Sequence, residues 1–438
     1  MRPARAIAWA CAAHVLSLAG FSTYPTLLPR LQSEWGMNNS EAGFLSGIFF
    51  AGYMAAVPVL TSLTDRLDAR RIYLASSAVA ALAVVGLGTF AGGFFTAALF
   101  QLLSGVGIAG TYMPGLRILT DHSSGTAQVR AVSFYTAIFG MGAGVSIVLA
   151  GVVADAWGWR TAFLAAALGP AAAGAMMVLG FPATRPANRP LAAVLDFRPV
   201  LRQRAVRPYL FGYGVHCWEL FGSRSWLVAF LVFAQAQLPA GQAAAISPVV
   251  VAAVANLLGP PSSIVGNEIA MRFGRNRTVW IAMLASGAAS CSLGWTAMLP
   301  WAAIAAAAFA HVMLMMGDSS AMTAAVVTRS DPRIRGATMA LHSMLGFGCG
   351  FVSPLVFGAV LDLSGGNANP VAWRWAFLSL GILCVIYALR LAAASAERDL
   401  DHRPRTRNAG HMQRPVGDWR NAESPRDRRT AGVRPHRA

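Results

Sequence analysis

The chain has 438 residues, of which 56% are hydrophobic and only 12% charged, with a mean hydropathy of +0.52. A soluble domain carries about 25% charged residues, so composition excludes an ordinary water-soluble globular fold and points to lipid as the solvent. The net charge of +17 comes from arginine alone, without a single lysine. Its placement in short gaps between apolar runs, and in the tail after Ser395, argues for membrane topology and against nucleic acid as a partner.

The apolar runs are continuous and lack the period-2 alternation of barrel strands, so they read as helices. In chain order, spans are predicted at residues 6–28, 40–63, 72–92, 95–117, 131–154, 161–181, 209–233, 246–270, 279–298, 301–325, 336–360 and 374–394. Each is about 20 residues or more, enough to cross about 30 Å of hydrocarbon. The first run, behind Arg2 and Arg5, also has the look of a signal peptide. Its unbroken extension to Leu28, and its role as partner of the seventh span in the repeat described below, favour a membrane helix.

Arginine asymmetry sets the orientation. With the N-terminus cytoplasmic, the inner loops collect Arg66, Arg70, Arg71, Arg130, Arg185, Arg189, Arg198, Arg202, Arg204, Arg207, Arg272, Arg275, Arg277, Arg329, Arg333 and Arg335, while the outer loops hold Arg30, Arg160 and Arg374. Both termini then face the cytoplasm of a bacterial inner membrane. The expected organisation is a six-helix bundle over 1–181, a Pro- and Arg-rich linker over 182–208, a second bundle over 209–394, and a disordered basic tail over 395–438. Cys11, Cys217, Cys291, Cys349 and Cys384 all lie inside apolar runs, with no metal-ligand spacing, and read as small core residues.

The two halves repeat at a shift of about 206 residues. Arg66 and Arg71 fall on Arg272 and Arg277, and Arg130 on Arg335. Gly140, Gly142 and Gly144 fall on Gly346, Gly348 and Gly350. Gly151 and Asp155 fall on Gly358 and Asp362, and Trp159-Arg160-x-x-Phe163 on Trp373-Arg374-x-x-Phe377. Two parallel halves related by an axis along the membrane normal can rock about a midplane site. The glycines read as close-packing positions that also permit sliding.

The loop Thr61-Ser62-Leu63-Thr64-Asp65-Arg66-Leu67-Asp68-Ala69-Arg70-Arg71 resembles the G-x-x-x-D-R-x-G-R-R loop of the major facilitator superfamily. The counterpart after the eighth span ends Arg272-Phe273-Gly274-Arg275-Asn276-Arg277, and Gly158-Trp159-Arg160 matches the family's GWR signature. The resemblance covers about residues 6–394. Departures are Thr61 and Asp68 for glycines, Met271 for an acid, and Gln101 where many members carry arginine. The Gly-Pro pattern of drug/proton antiporters in the fifth span is absent. The resemblance implies an all-α fold of twelve transmembrane helices in two pseudo-symmetric bundles. It also implies gating roles for Asp65, Arg66, Arg70, Arg272 and Arg275, with Asp121 as acidic partner; the plain alternative is a set of solvated topology charges.

Ionisable groups inside spans are costly and mark function by default. The seventh span carries His216, Glu219, Arg224 and Trp226; the tenth carries His311 and Asp318; the fourth carries Gln101, Tyr112 and Arg117; His14 and His342 lie in the first and eleventh. At about 100° per residue, His216 and Glu219 share a face, Trp226 lies near Glu219, and Arg224 is about 140° away from it. Arg224 is therefore the candidate for an anionic or polar solute, with Glu219, Asp318 or a histidine as candidate proton carrier. A solute anion competing for Arg224 would change the proton affinity of Glu219. The plain alternatives are a buried ion pair locking the seventh span and hydrogen-bonded core imidazoles at His14, His311 and His342.

The expected function is secondary active or facilitative transport of a small organic or inorganic anion by a monomer, with protons as candidate coupling ion. Neither a cofactor nor a metal is expected. Enzyme activity is not expected either, since no nucleophile–base set or phosphate loop is present. Efflux of a hydrophobic compound is the alternative within the class; a transport-dead sensor or scaffold is the alternative outside it.

Overall fold

The computed structural model describes residues 3–122, 125–183, 197–239 and 246–401. Every regular element among them is helical: α1 (Pro3–Ser17), α2 (Thr23–Glu34), α3 (Asn39–Leu63), α4 (Ala69–Thr89), α5 (Phe94–Asp121), α6 (Gly125–Trp157), α7 (Trp159–Gly180), α8 (Arg198–Arg202), α9 (Arg207–Ala236), α10 (Pro248–Phe273), α11 (Arg275–Leu293), α12 (Trp301–Met316), α13 (Ser319–Arg329), α14 (Arg335–Leu363) and α15 (Pro370–Asp401). Short 3₁₀ turns cover Gly294–Met298 and Pro332–Ile334. Residues up to Ala396 form one compact unit; of the remainder, Glu397–Ala438, only the end of α15 is described. The centre of the expected linker, 184–196, and the tail from 402 onward lie outside the described residues.

Eleven spans, counting α12 with α13, are long and apolar enough to cross a membrane. The twelfth is the pair α1 and α2, and here the structure corrects the expectation of an unbroken first helix. The chain leaves the helix over residues 18–22. Pro25 has no N–H to give the carbonyl one turn earlier, and Gly20 favours departure from the helix. The freed backbone groups find partners: Ser146 Oγ accepts from Ser22 N at 2.9 Å and donates to Ala19 O at 2.6 Å. One hydroxyl from α6 thus satisfies both sides of the break, as hydrocarbon demands. Trp9 Nε1 donates to Met176 O at 2.8 Å, packing α1 into the fold. The tenth span is also divided, at Gly317 and Asp318. The remaining ends fall within a few residues of their expected places.

The twelve spans form two bundles of six, and α3 against α14 and α6 against α10 are the principal pairs joining one half to the other. The side on which residue 3 lies is the near side, and the opposite one the far side. Toward the far side α3 and α14 touch backbone to backbone: a Cβ on Gly43 would overlap the Pro354 carbonyl, and one on Gly358 the Asn39 carbonyl. Deeper in, the rings of Phe50, Tyr53, Phe221 and Phe347 close the seam, with Tyr53 and Phe347 3.9 Å apart at their centroids and Phe50 and Phe221 4.2 Å apart.

A carboxylate fastens this seam. Asp362, at the end of α14, accepts from Asn39 N (3.0 Å), Asn39 Nδ2 (2.7 Å), Ser40 N (2.8 Å) and Ser40 Oγ (2.6 Å). Asn39 N and Ser40 N are the first free backbone N–H groups of α3, where the helix dipole favours negative charge. Asn39 Oδ1 in turn accepts from Gln32 Nε2 at 2.8 Å. The repeat-related Asp155 is exposed and makes no such contacts among the described residues. Across from it, α10 begins with Pro248, which has no N–H, and Ser247 caps its own helix through Val250 N. The repeat therefore supplies two acids but only one set of free donors.

Asp362→Ala removes four hydrogen bonds to a charged acceptor; a buried one is worth about 1.5–3 kcal/mol net, but here water can reach the donors left behind. The substitution is expected to cost about 2 kcal/mol in net stability and to lower the melting temperature in detergent by a few degrees. Asp155→Ala should leave that temperature unchanged, and equal effects of the two would contradict the asymmetry.

Candidate functional site

The charged residues of the near side assemble around Arg117. Its Nη1 lies 2.5 Å from Asp65 Oδ1 and donates to Thr64 Oγ1 at 3.0 Å, while Nε lies 3.6 Å from Asp121 Oδ2. Asp65 and Asp121 thus come together, but through Arg117, whose position in the fourth span had grouped it with solute contacts. Arg66 is exposed. Arg70 pairs with Asp68 at 3.0 Å and donates to Phe181 O at 2.8 Å, placing a cation at the carboxyl end of α7. Arg275 donates to Thr328 Oγ1 at 3.2 Å, joining α11 to α13, and Arg272 is exposed. The Asp65–Arg117–Asp121 cluster is about one-third exposed, so its net worth is small.

The seventh span, α9, carries two separate polar sites. The first lies inside the second half. His216 Nδ1 is 2.8 Å from Asp318 Oδ1, at the break between α12 and α13. One turn along α9, Glu219 Oε2 accepts from Ser286 Oγ at 2.9 Å and from the Cys384 thiol at 3.2 Å. Its Oε1 stands 3.9 Å from His311 Nδ1, and His311 Nε2 is 3.0 Å from Ser223 Oγ. His342 stacks on Tyr213 at 3.7 Å and lies 3.4 Å from Thr323 Oγ1. These acids and imidazoles are buried. His216 Nε2, Glu219 Oε1 and His311 Nδ1 meet no hydrogen-bond partner among the described residues. A buried polar atom left so costs about 1–3 kcal/mol.

The second site faces the seam. Arg224, Ser225, Gln101, Ser22, Ser46, Pro25, Phe21, Phe49 and Phe50 line a cavity of about 20 Å³. That holds roughly one water molecule and is too small for an organic solute. No ion pair joins Arg224 to Glu219 among the described residues, as their angular separation on α9 predicts, and no acid lines the cavity. Arg224 Nε has no hydrogen-bond partner there either. A guanidinium with five donors, an amide, three hydroxyls and three phenyl rings suit a solute with an anionic or polar end and an apolar body.

Other residues singled out by sequence lie in ring clusters away from both sites, and His14 Nε2 among them also meets no hydrogen-bond partner among the described residues. Trp226 is fully buried, stacks on Phe357 at 5.4 Å, and donates from Nε1 to Pro354 O at 3.0 Å. Tyr112 and His14 join Tyr135 in a ring cluster of the first half, His14 stacking on Tyr135 at 4.4 Å. Ser286, Ser223 and Cys384 had no signal in the sequence, because a small residue on an apolar span looks the same whether it packs or donates. Cys384, read as a core residue, is both.

A buried acid–imidazole cluster beside a two-sided seam between helical halves defines a membrane carrier. The model of the Major Facilitator Superfamily matches residues 10–354 and 250–428, and the chain belongs to that family. A probable transporter of Streptomyces coelicolor is 28% identical over 362 residues, 80% of each chain. A probable sphingolipid transporter, spinster homolog 1 of Arabidopsis thaliana, is 28% identical over 137 residues. That match covers 30% of this chain and spans only 27% of the Arabidopsis protein's length. Among solved structures, the fold is similar to a bacterial homolog of the human lysosomal transporter Spinster, inward-facing and unoccupied, with a TM-score of 0.73, 13% identity, and coverage of 92% of this chain and 99% of that one.

Ser286→Ala and Cys384→Ala each withdraw one donor from Glu219. Each is expected to lower stability by about 1–2 kcal/mol, read by denaturation in detergent. The loss from Ser286→Ala should shrink when Glu219 is already leucine; an unchanged loss in that background would show that Glu219 is not its partner.

Proposed function

We propose that the chain carries a small anion across a bacterial inner membrane by alternating access, with the Arg224–Gln101 cavity as solute site and the Glu219–His311 and His216–Asp318 groups as the proton-coupling site. The halves that rock are 1–181 and 209–394, the working form is a monomer, and the near side faces the cytoplasm, as the arginine distribution supports. The contacts at Asp362 and in the α3–α14 seam then represent closure of the outer side. No enzyme activity is assigned.

The observation that carries this reading is the division of labour on α9. Arg224 faces the seam with no acid beside it, so the field of a half-buried cation is left for a solute to satisfy. Glu219 and His216 face away into the second half, where protonation need not compete with the solute for space. Turnover of the cavity and turnover of the proton site are thereby held on one rigid helix.

A second reading has its own support. Phe21, Phe49 and Phe50 make much of the cavity wall apolar, and the Arabidopsis relative is named for a sphingolipid. Both favour export of an amphipathic compound with a larger apolar body, held at its polar end by the same arginine.

Reconstituted protein tests both. Uptake of aliphatic and aromatic carboxylates and of inorganic anions is compared with and without a pH gradient, alongside efflux of an amphipathic dye. Arg224→Ala is expected to reduce anion transport at least tenfold. Glu219→Gln should abolish stimulation by the pH gradient while sparing exchange of solute at equal pH. Anion transport by Arg224→Ala at the wild-type rate would sink the solute assignment, and dye efflux without anion uptake would favour the second reading.

A further inference from the structure

We propose that the groove between the near-side ends of α9 and α15 is a binding site for the headgroup of an anionic phospholipid, with Arg207 and Arg390 as its two cationic contacts. The groove has a volume of about 290 Å³ and is lined by Arg207, Pro208, Phe211, Tyr387, Arg390 and Leu391. It is remote from the cavity at Arg224 and shares no residue with it.

Three observations lead to a lipid. The first is charge without a counterion. The lining contains two arginines and no acid. Both side chains are exposed, and neither takes part in an ion pair among the described residues. The adjoining segment from Arg198 to Arg207 adds Arg202 and Arg204, again without an acid. The second is depth. Arg207 is the first residue of α9, and Arg390 lies near the end of the membrane-spanning part of α15, Pro370–Ser395. Both guanidiniums therefore sit at the level of headgroups. One turn deeper, about 6 Å along α9, Phe211 is 45% exposed, and Ile386 and Leu389 of α15 are 43% and 55% exposed. The third is rigidity. Tyr387 Oη donates to Pro208 O at 2.6 Å, which ties the two helices together at the floor of the groove.

A cationic pair at the interface above an apolar wall matches a phosphodiester attached to acyl chains. Free phosphate would use the arginines alone and gain nothing from Phe211. The choice of leaflet follows from the near side being cytoplasmic; the chemistry of the site does not depend on that orientation or on the transported solute.

Native mass spectrometry of the full-length protein tests the site, with phosphatidylglycerol and phosphatidylcholine of equal chain length supplied at equal mole fraction in detergent. Wild-type protein should retain phosphatidylglycerol in preference. Each arginine near an anionic surface contributes about fivefold to binding, so Arg207→Gln with Arg390→Gln should lower that retention about 25-fold while phosphatidylcholine is unaffected. The corresponding pair of lysine substitutions should keep most of it, which separates lost charge from lost folding. Arg277→Gln, an exposed arginine on the same side but outside the groove, should have no effect. Equal retention of the two lipids, an equal loss from Arg277→Gln, or displacement of phosphatidylglycerol by millimolar inorganic phosphate would each overturn the proposal.

Discussion

Hydrocarbon offers no partner to a polar group, and that constraint organises this molecule. Where α1 stops, the freed backbone groups are taken by Ser146 from another helix. Where α3 starts, its free N–H groups are taken by Asp362 from the other half. In both cases a local defect in one helix becomes a tertiary contact, so the positions where helices are imperfect are the positions where the fold is joined. Not every polar atom is satisfied in this way: Arg224 Nε in the seam, like His216 Nε2, Glu219 Oε1 and His311 Nδ1 in the second half, has no partner among the described residues.

The repeat explains much of the architecture but not its asymmetry. Trp159 and Trp373 are equivalent and both buried. The paired acids Asp155 and Asp362 diverge because a proline at the start of α10 and a self-capping serine remove the donors that α3 still offers. Likewise, among the described residues, the cluster of acids and imidazoles belongs to the second half. Its counterpart region in the first half is a set of rings, with His14 among Tyr112, Tyr135 and Phe139. A pair of identical bundles would carry the same polar groups on both sides of the seam; divergence of the lining confines the acid–imidazole groups named above to one side.

Spans, orientation signals and the GWR repeats were legible in the sequence because hydropathy and arginine placement are properties of single segments. The angular argument on α9 was also legible: His216 and Glu219 share a face, and Arg224 points elsewhere, since helix geometry is fixed locally. What could not be read was any partner supplied by another helix. Arg117 sits among groups that sequence placed in different categories: Asp121 is one turn along the same helix, but Thr64 and Asp65 meet Arg117 only once the end of α3 has packed against α5. The thiol of Cys384 and the hydroxyl of Ser286 reach Glu219 across other spans. Even the first span broke where its own residues gave only a weak signal, at Gly20 and Pro25, and the hydroxyl that makes the break tolerable comes from residue 146.

The spacing on α9 also bounds how the two sites can influence one another. Glu219 and Arg224 are five residues apart, about 7.5 Å along the axis, and point in different directions. Their charges are then separated by roughly 10–15 Å, for which Coulomb's law at an effective dielectric near 20 gives on the order of 1–2 kcal/mol. That is about a tenfold linkage between an anion at Arg224 and a proton at Glu219, within the ordinary range for coupled sites. It is too weak to force strict coupling by electrostatics alone. Strict coupling therefore needs a mechanical contribution, and the structure offers one: α9 carries both sites, packs against α14, and through α14 touches the α3 seam that Asp362 holds shut. Any movement that releases this seam alters the surroundings of Arg224 and of Glu219 together.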